Sequence, residues 1–192
     1  MEDMAPINGA EPSDADLVAA FSQAGRSDCL DELIRRHIGG VRAMVAHMVL
    51  NDADADDLTQ EVFLRAARGL PSFRGDARFS TWLYGIAMNV TRGFLKRKGA
   101  RVVYSSDRLP EPLNTPAPGA ADELMGRELE ARITAAVASL PPSLRAAIVL
   151  TSLHGLDERE AARAEGCSVP AMYWRVHAAR KILKKRLRKD LE

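Results

Sequence analysis

The chain has 192 residues, 46% hydrophobic and 28% charged, with 27 Lys and Arg against 26 Asp and Glu for a net charge of +1. That is the balance of a water-soluble globular protein, and no run approaches the roughly 18 apolar residues that a membrane span needs. The acidic start MEDMAPINGAEPSDAD lacks the basic head and apolar centre of a signal peptide. Residues 1–12 therefore read as a frayed tail, and the protein as cytoplasmic. Cys29 and Cys167 show no CxxC or zinc-finger spacing and read as buried or incidental thiols rather than a redox pair.

Every strong periodic signal is helical. Ser13 is placed to cap a first helix through Ala24, with Leu17, Val18 and Phe21 on its apolar side. Ser27 is placed to cap a second, in which Leu30, Leu33, Ile34, Ile38, Val41, Val45, Met48 and Val49 recur at three-to-four spacing. Gly39 and Gly40 each cost that helix up to about 1 kcal/mol relative to Ala and mark a bend. A third helix, Ala53 to Arg68, buries Leu58, Val62 and either Leu64 or Ala66, and stops at Gly69 with Pro71 just beyond. Leu70 to Phe79 reads as a loop.

Ser80 is placed to cap a fourth helix, with Phe79 packed on Tyr84 as a hydrophobic staple and Leu83, Ile86, Ala87, Val90 and Phe94 as the stripe. It ends at Lys96, Arg97, Lys98 and Gly99, cations that suit the negative helix terminus. Residues 100–121 hold four prolines and no helical repeat, so they read as a linker. A fifth helix carries Leu124, Leu129, Ile133, Val137 and Leu140, and Pro141 and Pro142 end it. A sixth starts at Pro142 or Ser143, uses Leu144, Ile148 and Leu150 or Thr151, and stops near Gly155.

Asp157 and Glu160 have capping-box spacing for a short seventh helix that ends before Gly166. Ser168 can then cap a long last helix with Val169, Met172, Val176, Ala179, Leu183 and Leu187 inward. Short helix, glycine turn, long basic helix is the outline of a helix-turn-helix.

Charge is distributed far less evenly than the total suggests. Arg92, Lys96, Arg97, Lys98 and Arg101 fall in an acid-free stretch, and so do the eight Lys and Arg residues between Arg175 and Lys189. Local patches of this kind set phosphate binding. On the last helix Ala171, Trp174, Arg175, His177, Ala178 and Lys181 face outward, with Tyr173 at the margin. That set suits base edges and phosphates in a major groove; the plainer alternative is a solvated basic helix. Lys184, Lys185, Arg186, Arg188 and Lys189 serve either phosphates or the helix dipole.

The loop around Arg74 and the fourth helix form a second surface. Phe73, Phe79, Trp82, Tyr84 and Phe94 supply aromatics and Arg74, Arg78, Arg92, Lys96 and Arg97 supply charge, the combination that holds single strands. Of these Phe79, Trp82 and Phe94 read as core. Asp52, Asp54 and Asp56 match the first ligands of a calcium loop, but Asp57 stands where glycine is required and Phe63 where the bidentate Glu belongs. Asp57 and Glu61, at i and i+4, instead share one helix face, as N-terminal charge or as a docking surface for Arg or Lys. His37, His47, His154 and His177 are scattered, with His37 on the buried side of its helix. No catalytic set, metal site or cofactor site emerges.

These residues resemble the extracytoplasmic-function (ECF, group IV) sigma factors of the sigma-70 family, initiation subunits of bacterial RNA polymerase. The likeness runs from about Asp28 to Leu187. DADDLTQEVFLRAARGLPSFRGDARFSTWLYGIAMNV is similar to region two, and LPPSLRAAIVL, the helix-turn-helix and RVHAARKIL are similar to region four. The resemblance implies an all-α fold of two small helical domains joined by a flexible Pro-rich linker. Region two would cover 13–99, the linker 100–121 and region four 122–192.

The resemblance further implies that Asp54, Asp57, Gln60 and Glu61 face the clamp helices of the polymerase β-prime subunit, with the β flap as a further contact. Ser72, Phe73, Arg74, Asn89, Arg92, Lys96 and Arg97 would open and read the minus-10 element and capture a flipped base. Ser168, Ala171, Tyr173, Trp174, Arg175, His177, Arg180 and Lys181 would read the minus-35 element. An anti-sigma factor is implied as a further partner. The chain departs from the pattern at Tyr173 and Trp174, where Lys and Ser are frequent, at Glu165, where an apolar residue usually closes the first motif helix, and at Glu158.

Linker length fits this reading only in one way. Two DNA turns separate the elements by about 70 Å. The linker reaches roughly 75 Å extended but only about 26 Å as a free coil, so it must be held nearly straight. The expected function is recruitment of core polymerase to promoters and help with strand opening, with no reaction catalysed. The alternative is a helix-turn-helix regulator that binds duplex DNA without polymerase.

Overall fold

The computed structural model describes residues 11–102 and 131–189. Among them every regular element is helical: α1 (Asp14–Ala24), α2 (Ser27–Val49), α3 (Asp52–Gly69), a 3-10 turn (Leu70–Ser72), α4 (Phe79–Val102), α5 (131–138), α6 (Pro142–Ile148) running into a π turn (Val149–Leu153), α7 (Glu158–Glu165) and α8 (Val169–Lys189). The fold is all-α with two domains. The linker residues 103–121, the start of the fifth helix with Leu124 and Leu129, and residues 1–10 of the N-terminal tail lie outside the described residues.

Local chemistry accounts for most helix ends. Ser13 caps α1 and forms a capping box with Asp16, Asn51 Oδ1 accepts from the Asp54 amide at the start of α3, and Asp157 forms a capping box with Glu160 at the start of α7. Each such cap stabilises by about 1 kcal/mol. Gly166 closes α7 in the left-handed conformation at φ 68°, which a residue with a Cβ adopts only under strain.

Several ends differ from the sequence reading. Ser27 is the first residue inside α2, and Arg26 occupies the cap without a capping hydrogen bond, its guanidinium pairing with Asp28 instead. Phe79, not a capped Ser80, opens α4, and Phe79 packs on His37, Phe73 and Trp82 while Tyr84 turns to His154. Gly99 lies within α4, which continues through 100–102, residues assigned above to the linker. The π turn closes with the His154 amide donating to the Val149 carbonyl.

The core-forming stripe is largely the predicted one, with four reassignments, one of them Ile133 of α5, which is exposed. Ile38 is 47%, Leu64 54% and Val169 42% exposed, while Ala66 is buried in place of Leu64. Gly40 has a packing reason for being glycine, because a Cβ there would come 3.0 Å from the Tyr84 hydroxyl. In the first domain α2 packs on α1, α3 and α4; in the second α8 packs on α6 and α7. The two halves share one hydrophobic core, joined where α7 lies on α4 and where α6 reaches α2.

Arg145 anchors that junction. It is 9% exposed, donates to the Met48 carbonyl at the end of α2 (2.9 Å), and also reaches the carbonyls of Ala138 and Leu140. A guanidinium there faces helix-terminal carbonyls, which carry partial negative charge. Burial pushes its pKa down, and the carbonyl partners supply the compensation that a buried cation requires.

Candidate nucleic-acid interface and docking face

On α3 the residues 57, 60, 61 and 64 fall at i, i+3, i+4 and i+7 and share one face. Asp57 and Gln60 are exposed there, Glu61 pairs with Arg65 at 2.7 Å, and Leu64 stands out between them. Asp57 has no ion-pair partner among the described residues. Leu64 escaped the sequence reading because its spacing from Val62 and Ala66 left two ways to turn the helix. Asp54 is differently placed: its carboxylate holds Lys98 of α4 at 2.7 Å. Asp52 and Asp56 are held by Arg42, at 3.4 and 2.6 Å.

The loop after α3 is built on an aromatic cluster. Phe73 and Phe79 have ring centroids 5.0 and 5.6 Å from that of Trp82, and 6.1 Å from each other. A Cβ at Gly69 would approach the Trp82 ring to 3.2 Å, so the glycine lets the indole lie against the turn. Phe73 is thus half-buried in packing, whereas Ser72 and Arg74 are exposed; the Ser72 hydroxyl donates to the Gly69 carbonyl at 2.7 Å.

Along α4, Asn89, Arg92, Lys96 and Arg97 are exposed. Arg92 is nevertheless engaged: it donates to Asn89 Oδ1 at 3.1 Å and to the Glu165 carbonyl at 2.8 Å, and its guanidinium lies 3.0 Å from the Glu165 carboxylate. Lys98 sits over the Phe94 ring, 5.3 Å from the centroid, a cation-π contact.

On α8, Met172, Val176 and Ala179 are buried, and Leu183 and Leu187 half-buried. Tyr173 and Trp174 are 66% and 65% exposed, with His177, Arg180 and Lys181 exposed beside them. Ala171 is half-buried, as is Ala178. Ser168 is exposed, and its hydroxyl accepts from the Ala171 amide at 3.4 Å. Arg175 does not face freely outward; its guanidinium points to Glu165 at 3.4 Å.

The seam between the halves carries contacts that no local pattern announces. Glu160 holds Arg78 at 2.7 Å and accepts from the Thr81 hydroxyl at 3.3 Å, and Arg163 donates to the Asp76 carbonyl at 2.8 Å. The Tyr84 hydroxyl lies 3.2 Å from His154 Nδ1. Burial, with His47 adding to it, pushes the His154 imidazole down to about 4, so it is neutral at ordinary pH. Beside the seam a cleft of about 390 Å³ is lined by Met48, Met88, Leu95 and Ala146, with Arg92, Lys96 and Glu165 at its polar end.

A helical domain with a basic aromatic surface, followed by a helix-turn-helix, is the outline of a DNA-binding transcription factor. The Sigma-70 region 2 family matches residues 33–101, and the Sigma-70, region 4 family matches residues 130–183. The ECF RNA polymerase sigma-E factor of Escherichia coli K12 is 34% identical over 168 residues, which cover 84% of this chain and 87% of the relative. The ECF RNA polymerase sigma factor SigE of Mycolicibacterium smegmatis is 30% identical over 197 residues, covering 98% of this chain and 75% of the relative.

Among solved structures, the sigma factor RpoE in complex with the anti-sigma factor NepR from Bartonella quintana aligns with a TM-score of 0.70 at 23% identity, covering 82% of this chain and 96% of that one. CnrH in complex with the cytosolic domain of CnrY aligns with a TM-score of 0.69 at 25% identity, covering 93% and 99%. The chain belongs to the ECF sigma factors of the sigma-70 family. It is an RNA polymerase sigma factor, which directs the core enzyme to promoters in transcription initiation.

Proposed function

We propose that the chain attaches to core polymerase through α3, with Asp57, Gln60 and Glu61 as the charged and polar contacts and Leu64 as an apolar anchor on the β-prime clamp helices. Asp54 acts at the edge of this face. The observation that carries the reading is the tie between Asp54 and Lys98, which sets the acidic face and the basic end of α4 in one rigid unit. A protein fixed to polymerase by α3 then holds α4 where the strands separate.

On this reading Ser72 and Arg74 of the loop, with Asn89, Arg92, Lys96 and Arg97, grip the nontemplate strand of the minus-10 element. Phe73 supports the loop from within its aromatic cluster. Ser168, Ala171, Tyr173, Trp174, Arg175, His177, Arg180 and Lys181 meet the minus-35 element, and region four also contacts the β flap. The protein works in the cytoplasm, catalyses no reaction, and is held in check by an anti-sigma factor. The complex of the similar CnrH with CnrY supports that partner. Among the described residues no helix is long and apolar enough to cross a membrane.

In vitro transcription with purified core enzyme and a library of random upstream sequences tests the reading. Transcripts with defined start sites that require the chain are expected. A chain that binds duplex DNA tightly by itself and yields no such transcripts contradicts it.

A further inference from the structure

We infer that α8 reads its duplex by apolar contact with the C5 methyl groups of thymine, through Trp174 set between Ala171 and Ala178, rather than by guanidinium bonds to guanine. The inference rests on the minus-35 reading above and names what is read there.

In a helix-turn-helix the N-terminal part of the second helix meets the base edges. In α8 that part is 169–178, and its outward face carries almost no free charge. Positions 171, 174 and 178 fall at i, i+3 and i+7 and share one side of the helix. Trp174 is 65% exposed there, and Ala171 and Ala178 beside it are half-buried, with side chains too short to hold a base edge away. Val169 and Pro170, at the entry to the helix, are exposed as well. An apolar patch left open in this way marks a contact surface.

Arg175 is the sole Lys or Arg between 169 and 178. Its guanidinium lies 3.4 Å from the Glu165 carboxylate, and its side chain is only 24% exposed. Glu165 belongs to α7, the other helix of the motif, so this pair is internal to the second domain. The one fork that could take guanine O6 and N7 together is therefore turned to protein, away from the side that carries Trp174. His177 is exposed next to the indole but presents single ring nitrogens rather than a fork.

Free cations begin one turn later, with Arg180, Lys181, Lys184 and Lys185 all exposed, and the run from 175 to 189 holds no acid. A polyanion fits that run better than an apolar protein surface does. Tyr173, 66% exposed, shares an edge of the helix with Arg180 at i and i+7 and adds a hydroxyl donor there. Contacts of that kind go to phosphates, which position a duplex without specifying its sequence. Specificity is then left to the strip of 171, 174 and 178. Among the groups that base pairs present in the major groove, the thymine C5 methyl is the apolar one.

The test uses the full chain loaded on core polymerase and the duplex promoters recovered from the random upstream library. Each thymidine of the recovered minus-35 segment is replaced in turn by deoxyuridine, which keeps every pairing group and deletes the methyl alone. Holoenzyme affinity is read by fluorescence anisotropy at fixed salt. At least one replacement should weaken binding about fourfold, the worth of one apolar carbon removed from cover. Trp174→Ala holoenzyme should bind the thymidine duplex about tenfold more weakly, and should bind thymidine and deoxyuridine duplexes alike. The deoxyuridine series on wild type needs no variant, so it stands whatever Trp174→Ala does to folding.

Replacements that all leave wild-type affinity unchanged overturn the inference, as does a folded Trp174→Ala holoenzyme that still senses the missing methyl. Defined start sites with an upstream element that lacks T·A pairs sink this inference and leave the promoter reading standing. A library that yields no transcripts dependent on the chain removes both.

Discussion

The outer face of α3 and the seam face of α4 are both charged helical surfaces of the same domain, yet they differ in what holds their charges. On α3 the ion pairs are internal to the first domain, Arg42 with Asp52 and Asp56, Arg65 with Glu61, Lys98 with Asp54, and Asp57 and Gln60 remain open. On α4 and the loop that leads into it the decisive cations reach across to α7, Arg78 of the loop to Glu160 and Arg92 of α4 to Glu165. Composition alone makes both look available. Access depends on whether a charge is satisfied by its own domain or by the other one, and only the second kind changes when the domains part.

The strongest perturbation of this comparison is removal of the bolt between the halves. Arg145→Met leaves the carbonyls of Met48, Ala138 and Leu140 without their donor in a buried place, a cost of roughly 3 to 9 kcal/mol at one to three per lost partner. Thermal unfolding should show a fall of several degrees or more. A melting temperature within one degree of wild type would mean that water reaches the junction freely.

Next comes the open face. Asp57→Lys with Glu61→Lys should weaken core polymerase binding about a hundredfold through like-charge contact, and Leu64→Ser should weaken it about tenfold, with circular dichroism and melting unchanged. Retained core affinity would take these residues off the docking surface. Trp174→Ala should reduce open-complex formation about tenfold, and only on promoters that depend on the minus-35 element. Equal loss on promoters without that element would assign the indole to folding, against its exposure.

The smallest effect is a pH dependence. His154 titrates at about 4 in the fold and near 6.5 when unfolded. Between these values the unfolded chain binds more protons, so the stabilisation is complete above about 6.5 and is lost as pH falls toward 4. Glu165 works in the other direction, because its raised pKa lets the fold take up a proton first as pH drops. His154→Gln, which keeps a hydrogen-bonding partner for Tyr84, should flatten the decline in melting temperature over that window. An unaltered profile would show that the imidazole is not held neutral.

Much of the fold was legible because helices write themselves at short range. The repeat from Leu30 to Val49, the cap at Ser13 and the capping box at Asp157 each need only four to eight neighbouring residues. Where two local solutions compete, tertiary contact decided: Ala66 rather than Leu64 took the core, and Phe79 left Tyr84 for the Phe73 and Trp82 cluster. Ser27 missed its cap because the turn from Gly25 brings Arg26 to that position instead.

The candidate surfaces were legible as charge and aromatic patterns, but their occupancy was not. Glu165 stood out in the sequence only as a misplaced acid in a motif helix. Its reason lies in Arg92, 73 residues away, and Arg175 on the next helix. Arg145 likewise looks like a stray cation in LRAAIVL until the end of α2 is brought against it.

Hydrogen exchange on the full chain, free and bound to core polymerase without DNA, tests the central contrast most directly. Core binding should slow exchange across 57–64 of α3 and speed it across 158–165 of α7, as one face is covered and the other uncovered. Slowed exchange in α7 with no change in α3 would contradict the account.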